Sequence, residues 1–104
     1  MQIFNYTGKY ITVSGEHGIR ETLPPDGHAK TTIKYSKKTV VGFVTIFKKE
    51  YGRIENLPSP DPRREKLYIV NQDVAEAAQP RFDLLVPENP QSGNNVTFYN
   101  LVNI

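Results

Sequence analysis

The stretch Leu67-Tyr68-Ile69-Val70-Asn71-Gln72-Asp73-Val74-Ala75-Glu76-Ala77-Ala78-Gln79-Pro80-Arg81-Phe82-Asp83-Leu84-Leu85-Val86-Pro87 reads as a strand, a short helix and a turn into a second apolar run. Its first four residues are apolar without alternation, the pattern of a buried strand. The period then changes to helical: Val74, Ala75 and Ala78 share one face, and Gln72, Glu76 and Gln79 the other. Asn71 stands where a side-chain oxygen can cap an unpaired amide, Asp73 carries the sign that the helix start favours, and Pro80 stops the helix. A helix this short depends on tertiary packing. Arg81 is spaced to pair with Asp83 or Glu76 and so fasten the turn.

Other segments read as strands separated by turns. Residues 3–6 alternate, and residues 9–14 resume the pattern after Thr7-Gly8, which predicts a hairpin. Pro25-Asp26-Gly27 has tight-turn chemistry. Residues 29–35 favour a strand, and Ser36-Lys37-Lys38 is a polar break. The run Thr39-Val40-Val41-Gly42-Phe43-Val44-Thr45-Ile46-Phe47 has apolar residues on both parities, so the expectation is a central core strand, or one strongly curved at Gly42. Residues 48–53 read as a turn or bulge, and Leu57-Pro58-Ser59-Pro60-Asp61-Pro62 as a rigid irregular loop. Residues 88–94 are turn-rich. The last run places Val96, Phe98, Val102 and Ile104 on one side of a strand and Thr97, Tyr99, Leu101 and Asn103 on the other.

These readings give an α+β fold: a small, mostly antiparallel β-sheet or partly open barrel with one short helix, in a single domain over residues 1–104. The chain has 38% hydrophobic and 23% charged residues, an ordinary globular composition. It has no cysteine, which excludes disulfides, thiolate metal sites and cysteine nucleophiles. No apolar run approaches the roughly 20 residues that span a bilayer, and the start lacks the layout of a secretory signal, so the expectation is a cytoplasmic protein without a membrane partner. Asn5-Tyr6-Thr7 and Asn95-Val96-Thr97 match the glycosylation pattern and carry no weight in that setting.

Charge is uneven. Residues 30–66 hold ten Lys or Arg against four acids, while the whole chain is only +2. This is either solubilising charge on an outer sheet face or a surface for phosphate or an acidic partner. Arg53, Arg63, Arg64, Lys66 and Arg81 are the binding candidates. Arg63, Arg64 and Lys66 leave the proline loop, and Arg81 with nearby helix amides offers a fork to an anionic group. Asn71, Asp73 and Asp83 read as structural polar groups. The only histidines, His17 and His28, have no ligand spacing, and no phosphate loop or nucleophile elbow is present, so no metal, cofactor or catalytic residue is assigned.

Tyr51-Gly52, Leu57-Pro58, Tyr68-Ile69-Val70-Asn71, Val74-Ala75-Glu76-Ala77-Ala78, Arg81 and Asp83-Leu84-Leu85-Val86-Pro87 resemble a pattern in a family of small uncharacterised bacteriophage and prophage proteins. Ile3-Phe4-Asn5-Tyr6-Thr7 is similar to that family's start, although Gly8 and Lys9 replace its proline and histidine. The resemblance implies phage or prophage ancestry and brings no activity. The resulting expectation is an accessory protein, more a binder than an enzyme, acting on a protein partner through the loop at residues 58–66. Single-stranded nucleic-acid binding by the basic residues with Tyr35, Phe47 and Tyr51 is the alternative; a small enzyme or a phage structural component are others. A last strand at a sheet edge would offer Tyr99 and Leu101 to a second subunit; an internal one would place them in the core.

Overall fold

The computed structural model describes residues 1–93 and 95–103. In chain order its elements are β1 (Gln2–Asn5), β2 (Ile11–Ser14), a single 3-10 turn (Glu16–Gly18), β3 (Arg20–Leu23), β4 (Ile33–Val41), β5 (Val44–Tyr51), β6 (Lys66–Ile69), α1 (Gln72–Ala77), β7 (Leu84–Gly93) and β8 (Val96–Asn103). Six strands form one sheet in the order β1-β6-β7-β8-β2-β3, and β4 and β5 form a separate two-stranded arm. The antiparallel ladders β2–β3, β4–β5 and β7–β8 carry most of the paired residues. The parallel contacts β1–β6, β6–β7 and β2–β8 are shorter, the last made among the described residues by the pair Val13 and Tyr99.

Residues 67–70 and 84–86 sit at the centre because both of their faces are apolar. On one face Tyr68, Val70, Leu84 and Val86 pack with Val74 and Ala75 of α1 and with Ala29. On the other, Ile69 and Leu85 meet Ile11 and Val13, with Leu23, Leu67 and Leu101 around them. The sheet therefore curls so that β2 and β3 cover its second face, and it is nearly closed into a barrel. The α1 face expected from periodicity is the buried one. Asn71 occupies the N-cap position with extended backbone, but its side chain makes no capping bond and donates instead to the Thr7 carbonyl at 3.4 Å. The amide of Val74 is taken by the Asp73 carboxylate at 2.9 Å.

Near-closure depends on Asn5, which is 1% exposed at the end of β1. Its Nδ2 donates to the carbonyls of Lys9 at 2.8 Å and Leu23 at 3.1 Å, joining β1 to the end of β3 on the opposite sheet edge. Its Oδ1 accepts from the Thr7 amide and hydroxyl at 3.0 and 2.6 Å. Its backbone exchanges bonds with Asp26: the Asn5 amide donates to Oδ2 at 2.8 Å, and the Asp26 amide donates to the Asn5 carbonyl at 2.7 Å. The turn at residues 25–27 is thereby fixed against β1. Gly8 follows at φ 82, where a side chain would collide with the His28 ring.

Several expectations change. The first two runs do not pair with each other; β1 lies parallel to β6, and β2 pairs with β3 and β8. Residues 39–47 are not a core strand: Val41 faces Val44 across a two-residue Gly42-Phe43 turn, and Gly42 takes the positive φ of 61 that such a turn requires. The polar break is instead part of β4, where Lys38 is an extra residue between the Lys37–Phe47 and Thr39–Ile46 pairs. Residues 48–51 continue β5. Residues 88–93 extend β7 past Pro87, with an extra residue near Asn89, which has φ 54; Asn94 lies outside the described residues. β8 lies between β7 and β2, so Leu101 joins the core cluster and the strand is no free edge; Ile104 lies outside the described residues.

Asn5→Asp keeps the acceptor for Thr7 but sets an oxygen against the carbonyls of Lys9 and Leu23. We expect urea unfolding to show a loss of roughly 2–4 kcal/mol, because two carbonyls lose their donors and a charge is set in the buried place of the Asn5 side chain. Thr7→Val should cost less, about 1 kcal/mol.

Candidate functional site

The feature that stands apart from the core is the arm. The Cα radius of gyration is 16.5 Å, against about 13 Å for a compact chain of this length, and the molecule measures 53 × 37 × 19 Å. Among the described residues β4 and β5 pair with each other only, and nearly all their residues are exposed. Phe43 at the turn is fully exposed, and Val41, Val44 and Phe47 are each about 60% exposed (62%, 64% and 59%). Residues 39–47 contain no charge. Lys37, Lys38, Lys48 and Lys49 stand immediately behind this tip, with Lys34 and Glu50 nearer the base.

The pairing fixes which side chains share a face. Tyr35 opposite Lys49, Lys37 opposite Phe47 and Ile33 opposite Tyr51 lie on one side; Lys34 opposite Glu50 and Ser36 opposite Lys48 lie on the other. The lysines are thus divided between the two faces. The extra residue at Lys38 puts Val40 with Thr45 on the first face, and Thr39, Val41, Val44 and Ile46 on the second. An isolated two-stranded hairpin is marginal in water, and exposed apolar residues clustered on one mark a contact surface.

The base is tied to the body. The Gly52 amide donates to the Thr32 carbonyl at 2.8 Å, and Lys30 and Glu55 exchange backbone bonds at 3.0 and 2.8 Å. Ile54 packs against the core, and the Tyr51 phenol donates to the Glu76 carboxylate of α1, which also holds the Lys49 ammonium at 3.4 Å. The Tyr51 bond, with smaller help from Gln72 and Lys49, holds the Glu76 carboxyl below its ordinary range. The same bond pushes the Tyr51 phenol above its usual value, and contact with Tyr51 and Glu76 raises the Lys49 ammonium.

The binding candidates occupy different surroundings. Arg53 lines a hollow of about 280 Å³ beside the arm with Lys30, Thr31, Thr32 and Glu55. Arg63 and Arg64 ride on a turn in which Asp61 accepts from the amides of Arg63, Arg64 and Glu65, and the Arg64 guanidinium covers the Phe82 ring at 4.6 Å. Lys66 borders a hollow of about 230 Å³ with Phe4, Tyr6, Pro58 and Tyr68. Tyr68 stacks on Phe4 at 5.7 Å, and burial raises its phenol above the usual value.

Arg81 meets the buried Asp83 carboxylate in a two-bond fork at 2.9 and 2.6 Å, and its third donor goes to the Pro58 carbonyl at 2.8 Å. The guanidinium thus fastens the proline loop to β7, and its fork is committed to Asp83. Asn71, Asp73 and Asp83 all bond within the fold. Among the described residues no group of three metal-ligating side chains converges.

The arm escaped the sequence reading because its residues resemble a core strand. The usable signal was Gly42-Phe43 between valines, a Gly-X turn flanked by β-branched residues.

The Glu76 clasp works in its ionised form. A depressed carboxyl pKa means that the clasp is intact above the reference value of 4.5 and fades as pH falls through the lowered one. Exchange of the Gly52 amide, which donates to Thr32, should accelerate in that acidic range relative to its intrinsic rate at each pH. Glu76→Ala should raise it roughly two- to fivefold at neutral pH and remove the acid dependence. Comparison of the chain with family models, curated proteins and solved structures returns no match.

Proposed function

We propose that this chain is a small phage- or prophage-derived accessory protein that works in the host cytoplasm by binding another protein, with the β4–β5 arm as its contact element. The single observation that supports this reading is the uncharged tip, residues 39–47, held away from the core with apolar side chains exposed on both faces. Phage ancestry rests on the sequence pattern at residues 3–7 and 51–87. The notional contact thus moves from the proline loop, which Arg81 holds down at Pro58, to the arm.

A photo-crosslinking phenylalanine analogue at Phe43, introduced in the native host, tests this. A discrete protein adduct at position 43, absent when the analogue replaces the exposed Tyr10, is the expected result. An adduct sensitive to nuclease, or none at either site, overturns the reading.

A second reading has its own observation: Tyr35, Phe47 and Tyr51 share one arm face with Lys37 and Lys49, a stacking surface with cations beside it. Under it, a labelled oligothymidine should bind with an anisotropy change that weakens with salt. Lys37→Ala and Lys49→Ala should each lower the logarithmic salt slope by about 0.7.

A further inference from the structure

We propose that the arm pairs with the arm of a second copy of this chain, β5 against β5 in antiparallel sense, about a two-fold axis at Thr45. The inference rests on the protein-binding reading of the arm and names the partner. Its first support is the free edge. Among the described residues the arm has only two strands, so each has one side without a strand neighbour. β4 is interrupted by its extra residue at Lys38, whereas β5 is regular from Val44 to Tyr51. A two-residue turn makes Val41 and Val44 the hydrogen-bonded pair, so the backbone groups of Thr45 and Phe47 point outward.

The second support is self-complementarity. The sequence Phe43-Val44-Thr45-Ile46-Phe47 has the same chemistry read from either end: aromatic, β-branched, threonine, β-branched, aromatic. Antiparallel pairing centred on Thr45 sets threonine against threonine and Val44 against the second copy's Ile46, and brings Phe47 beside the second copy's turn residue Phe43. Threonine pairs and β-branched pairs stabilise neighbouring strands, and the aromatic rings meet where the partner's strand begins. A two-fold axis through the sheet keeps each face continuous across the join, because every residue meets one of its own parity.

The third support is charge. The arm carries five lysines against Glu50, so two arms laid fully together would repel. Centred on Thr45, the two Lys48 residues lie about 20 Å apart along the strands, beyond the ~8 Å over which salt leaves charges interacting. Recentring on Phe47 would bring them to about 7 Å. Charge and side-chain pattern therefore select the same register.

The chain's lack of cysteine makes the test direct. In sedimentation velocity the full chain should show a concentration-dependent dimer. Thr45→Cys should oxidise to a covalent dimer roughly tenfold or more faster than Thr39→Cys, because paired positions at the axis fall within disulfide reach while the two β4 strands lie about 14 Å apart. Thr45→Pro removes an outward amide at the axis and spares the hairpin's own bonds; it should sediment as monomer with an unchanged far-ultraviolet spectrum. A chain that stays monomeric at all concentrations, equal cross-linking at positions 45 and 39, or open-ended species in place of a dimer overturns the proposal. A monomeric chain that still cross-links from position 43 to a different protein would leave the protein-binding reading standing and remove only this one.

Discussion

The closure of this sheet depends on one buried amide. Asn5 spends both of its Nδ2 hydrogens on carbonyls at the end of β3 and in the turn after β1, and its Oδ1 on Thr7. β1 and β3 are the two edges of a six-stranded sheet, so these bonds hold together what the strand ladders leave apart. Edges fastened in this way bring β2 and β3 over Ile69 and Leu85, and that second layer completes the core. A carboxylate, an alanine or a longer amide at the same place would each leave at least one of these partners unmatched.

Given that core, the exclusion of residues 39–47 follows from space and connectivity. Both faces of the central strands are already covered, one by α1 and Ala29 and the other by β2. The apolar run is left to fold on itself at Gly42, tied down at its base by Gly52, Ile54 and the Tyr51–Glu76 contact. The same packing uses the charged groups flanking the helix as fasteners. Arg81 and Asp83 connect the proline loop to β7, and the body carries ten acids against eight bases while the arm is strongly basic. The buried polar groups are thus spent on fastening the body, and the arm's polar ties to the body lie at its base, in Tyr51 and Lys49.

Much of the body was legible in the sequence. The unbroken apolar runs at residues 67–70 and 84–86 and the helical spacing of Val74, Ala75 and Ala78 mark burial directly, and they lie where the fold needs them. The fold class, a small mostly antiparallel sheet or partly open barrel with one short helix, followed from strand-length patterns and turn residues, and the structure shows the sheet nearly closed. Partners were not legible: neighbouring runs suggest hairpins, whereas β1 crosses to β6 and β2 to β8. Strand pairing across such distances depends on how the sheet closes, which no local pattern encodes. The arm was misread for a related reason. Apolar content on both parities measures an appetite for burial, and the residues cannot say whether the burying surface belongs to the same chain.

The pairing of β1 with β6 has a consequence for the order in which the molecule can form. Gln2 must wait for Lys66, and the β2–β8 contact for Tyr99, so the body assembles only after the chain has been made past Tyr99. The arm needs only its own residues and closes across two of them. Hairpins of this kind form in microseconds, far ahead of synthesis. The uncharged segment therefore closes its own turn first, as a marginal hairpin, and gains its ties to Ile54 and α1 only with the body. Lys37, Lys38, Lys48 and Lys49 stand at both of its ends, where like charges flanking an apolar strand oppose indiscriminate association.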